Sequence, residues 1–337
     1  MTDAHVVLWR TMYDSTGADR FREAGCRVTV VDSPNEGAVI AALGDARALW
    51  VRYPQKVTAR VLDGGPALEI VSSSGFGTDN IDIEAATQRG ILVVNQRGFG
   101  RIPVSEHAVL FMLALAHRLI WGDAGTRDGS AWDKRADYPT FDLEGKTVGI
   151  LGLGHIGSEL ARKLRAAFNC NVLAYDPYVD PRIRFLCGAT MLSDLSALLP
   201  QVRFLCLCPE LTLETRNIIG AKELALLPKG ALVVNVSRGG VLDLDALADA
   251  LDSGHVAGAA LDVYQPEPLP AGHRLLSHPN VTLTPHTAGL TLETNVRTTM
   301  SAVEQILCAL RGEMPRFPKN REVWEAPQSR RRRPVHA

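Results

Sequence analysis

The sequence predicts an α/β protein built on two doubly wound parallel sheets, and three observations carry that expectation. Short apolar segments alternate with intervals long enough for a helix, five in the first hundred residues and six after residue 147. A glycine-rich turn directly follows one of the later segments. Arg238, Glu267 and His286 each come just after a further apolar segment, at the strand ends where open α/β sheets bind ligands.

The glycine-rich turn organises the chain. From residue 147 the sequence reads T-V-G-I-L-G-L-G-H-I-G, then a helical stretch, then N-V-L-A-Y-D. Residues 148–151 are short, apolar and partly β-branched, as in a buried parallel strand. Gly152, Gly154 and Gly157 make the spacing G-x-G-x-x-G. The first glycine allows the tight turn, the second lets a pyrophosphate lie against the backbone, and the third lets helix and strand pack closely. The helix N-terminus then turns its free amides toward the phosphates. A lone G-x-G-x-x-G is weak, but here a strand precedes it and a helix follows. Asp176 closes the second strand, about 20 residues on, where an acid accepts bonds from ribose hydroxyls. A carboxylate there favours NAD over NADP, and no arginine immediately follows it; Arg182 and Arg184 lie further on.

Composition narrows the classes. At 337 residues and 46% hydrophobic content the chain can bury a sizeable core and is expected to form two domains. A net charge of −1 supplies no general attraction to nucleic acid or anionic lipid. The N-terminus lacks a signal-peptide pattern and the longest apolar run, residues 108–116, is too short to span a bilayer, so a cytoplasmic location is expected. The six cysteines show neither zinc spacing nor a disulfide framework, and no metal site is expected. Cys206 and Cys208, two apart on an apparent strand, are expected to point to opposite faces.

In chain order, strands are expected over residues 6–9, 28–31, 48–51, 68–71 and 91–94, forming the first unit. The fourth leads into Ser74, Gly75, Phe76 and Gly77, whose bare backbone suits a carboxylate. An ordinary turn with a cap by Asp79 or Asn80 is the alternative. Arg52, ending the third strand, could add a fixed positive charge or be a surface arginine. A long helix over 104–121 is a candidate hinge, and 121–141 reads as a connecting loop. Further strands are expected over 148–151, 171–175, 203–207, 230–235, 256–261 and 281–283, with helices over 242–251 and 292–310. Residues 326–337 form a basic tail containing Arg330, Arg331, Arg332 and Arg333, read as a solvated terminus.

The chemistry follows from three loops: N-V-S-R-G-G around Arg238, D-V-Y-Q-P-E-P around Glu267, and T-P-H-T-A-G around His286. Moving a hydride from a C–H carbon to nicotinamide requires the hydroxyl proton to leave at the same centre, and imidazole titrates in the range to take it. A carboxylate on the other ring nitrogen orients the imidazole and stabilises its charged form. Arg238 can hold a substrate carboxylate bidentately and polarise the adjacent carbonyl. Asp262 could accept from the nicotinamide carboxamide. Singly, each residue also has a bland reading as a loop histidine, a helix-start turn or a surface acid; their joint placement favours function.

These segments, with S-G-F-G-T-D-N-I-D and V-S-E-H in the first third, resemble the D-isomer-specific 2-hydroxyacid dehydrogenases, most closely the phosphoglycerate dehydrogenase branch. The match runs from about residue 48 to 312. The resemblance implies a Rossmann NAD domain, residues 101–290, inserted into a flavodoxin-like substrate or lid domain made of residues 1–100 and 291–325. It implies Arg238 as substrate clamp, Glu267 as partner and His286 as acid/base. It also implies His155 and Ile156 at the pyrophosphate, Asp176 at the ribose, and Cys208 and Thr215 on the adenosine side. Val236 and Asp262 would meet the nicotinamide, Ser74 to Gly77 the substrate carboxylate, and the enzyme would be a homodimer joined through the NAD domain. The implied activity is NAD-dependent interconversion of a small D-2-hydroxy acid and its 2-keto acid. Formate enzymes resemble the family but carry glutamine where Glu267 stands. The rival from another class is an NAD(H)-sensing corepressor-like binding protein that keeps the same triad. Two departures bear on substrate identity: Gln96 to Gly100 replaces a stretch that often carries proline after Asn95, and Glu210 reads as an extra residue. With the sequence ending soon after the last helix, the regulatory domain of longer relatives is not expected.

Overall fold

The structure, a computed structural model, describes residues 3–137 and 139–325; the four tail arginines lie outside the described residues. Two compact units form, one from residues 3–100 with 290–325 and the other from 101–289.

The first unit is a five-stranded parallel sheet of β1 (His5–Trp9), β2 (Arg27–Val31), β3 (Ala48–Val51), β4 (Ile70–Ser73) and β5 (Leu92–Val94), in the order β2-β1-β3-β4-β5. That is the flavodoxin-like order. The central strands are buried along their whole length, as expected where helices cover both faces. One face packs on helices Glu36–Leu43, Ala59–Asp63 and Ile83–Gln88 through Val39, Leu43, Val61 and Ala86. The other packs on Phe21 and on Ala302, Ile306 and Leu310 of helix Leu292–Leu310. Helix Ile83–Gln88 is capped by Asp82, which accepts from the Ala85 amide at 2.9 Å, so neither Asp79 nor Asn80 is its cap.

The C-terminal helix is tied to this unit by buried amides. Gln305 Nε2 donates to the Asn95 carbonyl at 3.0 Å and to Gln96 Oε1 at 3.2 Å. Gln96 Nε2 in turn donates to Ser72 Oγ at 3.1 Å. Gln96, one of the family departures, is therefore a fully engaged core residue; leaving any member unpaired would cost about 1–3 kcal/mol.

The second unit is a seven-stranded parallel sheet of β6 (Thr147–Leu151), β7 (Asn171–Tyr175), β8 (Thr190–Met191), β9 (Phe204–Leu207), β10 (Ala231–Asn235), β11 (Val256–Leu261) and β12 (Val281–Leu283). Its order is β12-β11-β10-β9-β6-β7-β8. Counting β6 as first, the order is the Rossmann 3-2-1-4-5-6 with one more parallel strand, and it reverses between β6 and β9. One face buries Val148, Ile150, Phe204 and Val234 against helices Arg101–Ala116 and His155–Phe168. The opposite face buries Leu205, Val233 and Leu261 against Leu247 and Leu251 of helix Leu244–Asp252.

Three expectations are corrected here. The single helix over 104–121 is two helices, Arg101–Ala116 and Leu119–Arg127, bent by 60° at Arg118, whose φ of +52° is left-handed and cannot continue a right-handed helix. The second helix takes the start of the stretch read as loop. Cys206 and Cys208 do not point apart, because residues two apart on a strand share a face; their sulfurs lie 3.8 Å from each other. No single described helix is long and apolar enough to cross a membrane.

Candidate active site

Each glycine of the turn after β6 has its own geometric reason. Gly152 has φ +86°, and a Cβ there would lie 2.7 Å from the Pro209 nitrogen and 2.9 Å from the Cys208 carbonyl carbon. A Cβ on Gly157 would lie 2.1 Å from the Gly152 oxygen, so helix His155–Phe168 closes on the strand only with glycine there. Gly154 differs: among the described residues nothing lies within 4 Å of where its Cβ would be. No protein neighbour demands a glycine at that position, and the space beside it is left open. Gly154 is also the N-cap of the helix and has no side chain to cap it, a geometry that favours an anion at the helix start.

Asp176 follows β7 and is held toward this turn. Its Oδ2 accepts from the Leu153 amide at 2.7 Å and its Oδ1 from the Tyr178 amide at 2.9 Å. Each oxygen keeps acceptor capacity for a hydroxyl. Open space at Gly154, a helix start without a side-chain cap and a fixed carboxylate are what a dinucleotide requires, so these residues fit NAD. Two substitutions separate ligand space from packing. Gly154→Ala should keep the wild-type melting temperature and bind NADH at least about tenfold more weakly, since the methyl enters only open space. Gly157→Ala should lower the melting temperature, at a cost of about 1–3 kcal/mol, because its methyl meets backbone. Fluorescence titration and thermal denaturation of both variants check the pair; equal behaviour would remove the distinction.

His155 and Ile156 open the helix, with Ile156 partly buried against the core. Cys208 donates its amide to the Leu151 carbonyl at 2.8 Å, continuing the β9–β6 ladder beside the turn. Thr215 Oγ1 donates to the Glu210 carbonyl at 2.6 Å and accepts from the Thr212 amide at 2.8 Å, so Glu210 is part of a compact turn. Val236 is buried directly after β10.

At the carboxyl end of the same sheet, β10, β11 and β12 are neighbours, and the loops that leave them carry Arg238, Glu267 and His286. Gly239 explains how the first two loops meet: a Cβ there would lie 1.9 Å from the Tyr264 carbonyl carbon, so only glycine lets the Arg238 turn rest on the Glu267 loop. Arg238 Nη1 donates to the Ser237 carbonyl at 2.8 Å, and its own carbonyl accepts from Asn235 Nδ2 at 3.0 Å.

His286 Nδ1 and Glu267 Oε2 are 2.8 Å apart. Glu267 Oε1 accepts from the Tyr264 amide at 3.0 Å, so both carboxylate oxygens act as acceptors. A glutamine could satisfy only one of the two donors. With Nδ1–H donating to Glu267, Nε2 is the ring nitrogen left to exchange a proton. The imidazole is about 29% exposed and the carboxylate 12%.

The loop bearing His286 is latched by Asp262, which is 1% exposed. Asp262 Oδ1 accepts from the Thr284 hydroxyl at 2.6 Å and the Thr287 amide at 2.8 Å, and Oδ2 accepts from the Ala288 amide at 3.0 Å. Its carbonyl accepts from the His286 amide at 2.9 Å. His286 itself sits at φ +55°, a left-handed conformation costing about 1–2 kcal/mol that the latch holds in place. Tyr264 braces the same loop, its hydroxyl reaching the carbonyls of Leu261 at 2.9 Å and Thr284 at 2.7 Å. Burial, with the Asp262 charge next, pushes the Tyr264 phenol above its ordinary range, so it stays a donor.

In the first unit, the turn after β4 fixes its carbonyls: Gly75 O accepts from the Gln96 amide, Phe76 O from Asn95 Nδ2 and Gly77 O from Ser73 Oγ. Ser74 donates its amide to the Val51 carbonyl. Among the described residues the amides of Phe76 and Gly77 make no hydrogen bond. Arg52 donates to the Thr11 carbonyl at 2.5 Å and lies 5.2 Å over the Tyr13 ring.

Sequence reasoning missed two groups. His107, within V-S-E-H, lies against Thr284. The latch of Asp262 onto the His286 loop also went unread, although an acid just past a strand is the one local signal for it.

Residues 109–288 match the family model described as D-isomer specific 2-hydroxyacid dehydrogenase, NAD binding domain. The chain is 36% identical over 301 residues to a D-3-phosphoglycerate dehydrogenase of Methanocaldococcus jannaschii, covering 87% of this chain and 57% of that protein. A glyoxylate reductase of Thermofilum pendens is 36% identical over 306 residues, covering 88% and 89% of the two chains. The chain thus spans little more than half the length of the phosphoglycerate dehydrogenases it matches. Among solved structures, the TT0316 protein of Thermus thermophilus superposes with a TM-score of 0.85 at 32% identity, covering 94% of this chain and 99% of that one. A glyoxylate reductase of Paecilomyes thermophila gives 0.84 at 26% identity, covering 95% and 100%.

Proposed function

The chain belongs to the D-isomer-specific 2-hydroxyacid dehydrogenase family, and from that premise we propose that it interconverts a small D-2-hydroxy acid and its 2-keto acid with NAD. The observation that carries this reading is the 2.8 Å pair of His286 and Glu267, at the carboxyl edge of a sheet whose switch-point turn fits a dinucleotide. When bound, NAD supplies the hydride acceptor and NADH the donor.

The protein supplies charge and a proton. Arg238 holds the substrate carboxylate and polarises the neighbouring oxygen. On oxidation His286 Nε2 takes the hydroxyl proton as the C–H carbon loses hydride; on reduction the imidazolium returns it. Glu267 fixes the tautomer and balances the imidazolium charge. Supporting the cofactor roles, His155 and Ile156 open the helix, Asp176 keeps acceptor capacity for ribose, Cys208 lies against the turn at Gly152, and Thr215 closes the loop that follows Cys208. Val236 and Asp262 directly follow β10 and β11, and are assigned to the nicotinamide side. Ser74, Gly75, Phe76 and Gly77, with Arg52, are assigned to the substrate carboxylate, a role supported by the unbonded amides of Phe76 and Gly77. We further propose a cytoplasmic homodimer joined through the NAD-binding unit, supported by family membership.

The test is NADH oxidation with a panel of 2-keto acids, glyoxylate, hydroxypyruvate and phosphohydroxypyruvate among them. Turnover of at least one is expected, giving the 2-hydroxy acid, in the D form wherever the product is chiral. Tight NADH binding with no turnover on any member would replace the enzyme by a nucleotide-sensing protein.

A further inference from the structure

One half-buried histidine of the second unit has no place in that proton route. His107, on helix Arg101–Ala116, puts Nε2 3.1 Å from Thr284 Oγ1 and 4.0 Å from Asp262 Oδ1. Its ring is held edge-on by Phe111, with centroids 4.3 Å apart at 72°, and Phe111 is itself core.

Counting hydrogens decides the direction of the contact. The Thr284 hydroxyl has one proton, and it points to Asp262 Oδ1 at 2.6 Å, an oxygen that only accepts. Thr284 Oγ1 therefore meets His107 as an acceptor, and His107 Nε2 carries the hydrogen. Burial pushes the His107 pKa below the ordinary imidazole value, against the pull of Asp262, so the ring is neutral at pH 7 and this tautomer is fixed by its neighbours. Tyr264 already holds the Thr284 backbone carbonyl. What His107 controls is the hydroxyl, and through it the oxygen that also receives the Thr287 amide.

We propose that His107 is a positioning residue for proton transfer at His286, acting through Thr284 and Asp262 on the loop that presents the imidazole. The inference rests on the dehydrogenase reading above. A helix whose inner face packs on the core sends one donor to the far side of the Asp262 latch. Without that donor the Thr284 hydroxyl can rotate away, and Asp262 loses its shortest bond. The His286 loop then samples more than one position while the coenzyme turn, anchored on β6 and β7, is untouched. The loss should fall chiefly on kcat, because the turn and Asp176 assigned to the pyrophosphate and ribose of the coenzyme stay in place.

The experiment compares His107→Leu, which fills the space without a donor, with His107→Gln, whose amide N–H can reach the place of Nε2. Thr284→Val, which keeps the shape and removes the hydroxyl, is the independent probe should the leucine variant fold poorly. Expected results are a kcat about tenfold lower for His107→Leu and Thr284→Val, matching the loss of one hydrogen bond, with a much smaller change in the NADH dissociation constant. The glutamine variant should recover most of the rate, and His107→Leu with Thr284→Val together should be no worse than either alone. Wild-type kcat in both single variants, equal losses in the leucine and glutamine variants, or additive losses in the double variant would each overturn the proposal. A wild-type protein inactive on every keto acid would instead overturn the dehydrogenase reading, so the two failures are told apart.

Discussion

His286→Ala should lower kcat for 2-keto acid reduction by about 10²- to 10⁴-fold, the range that a positioned general acid contributes, while NADH binds as to the wild type. The size follows from how few groups can stand in. Nδ1 is taken up by Glu267 at 2.8 Å, so in the proposed reaction Nε2 is the nitrogen that would carry the proton to the substrate oxygen. Alanine leaves Glu267 beside the gap, but Glu267 Oε1 is already committed to the Tyr264 amide. Coenzyme affinity should persist because the turn at Gly152, Gly154 and Gly157 and the acid Asp176 belong to β6 and β7, whereas His286 follows β12 at the sheet's other edge. Stopped-flow reduction with NADH fluorescence titration reads both quantities. Retention of wild-type turnover would end the assignment of His286 as the proton carrier.

Asp262→Asn should cost about 3 kcal/mol of stability and lower kcat as well. The buried carboxylate accepts three hydrogen bonds, two on Oδ1 and one on Oδ2. An asparagine has one oxygen, so its NH₂ group must face either the Ala288 amide or the pair formed by the Thr284 hydroxyl and the Thr287 amide. Either choice sets donor against donor at a site 1% exposed. Losing one charge-assisted bond and stranding a buried donor accounts for the estimate. Without the latch, His286 has less to hold it at φ +55°, so the rate falls along with the fold. Urea denaturation and hydrogen exchange at Thr287 and Ala288 check this. A variant with wild-type stability and both amides still protected would show that the latch does not hold the loop.

The parts of the site legible in the sequence are those whose geometry is set within a few residues. Three glycines after a strand, and an acid at the end of the next, imply a dinucleotide turn because the strand, turn and helix are local. Arg238, Glu267 and His286 could be nominated because each directly follows an apolar strand, and consecutive strands of a parallel sheet end at one edge. The two-residue β8 carries too little apolar pattern to be seen. The break at Arg118 was hidden because apolar spacing continues across it. The cysteine error had a different source, a misapplied strand period that the 3.8 Å sulfur contact corrects.

Other features depend on residues far apart. His107 and Thr284 are 177 positions apart, and Gln96 and Gln305 are 209 apart. By itself the sequence determined two parallel sheets and the dinucleotide turn, and it nominated Arg238, Glu267 and His286, because hydrophobic period and turn chemistry act over short spans. Only the tertiary structure decided which oxygen of Asp262 latches which donor, that Gly239 lets two loops touch, and that His107 reaches the Thr284 hydroxyl. Hydrogen-bond direction and close approach depend on ångström distances between strands and helices, and no spacing along a chain encodes those.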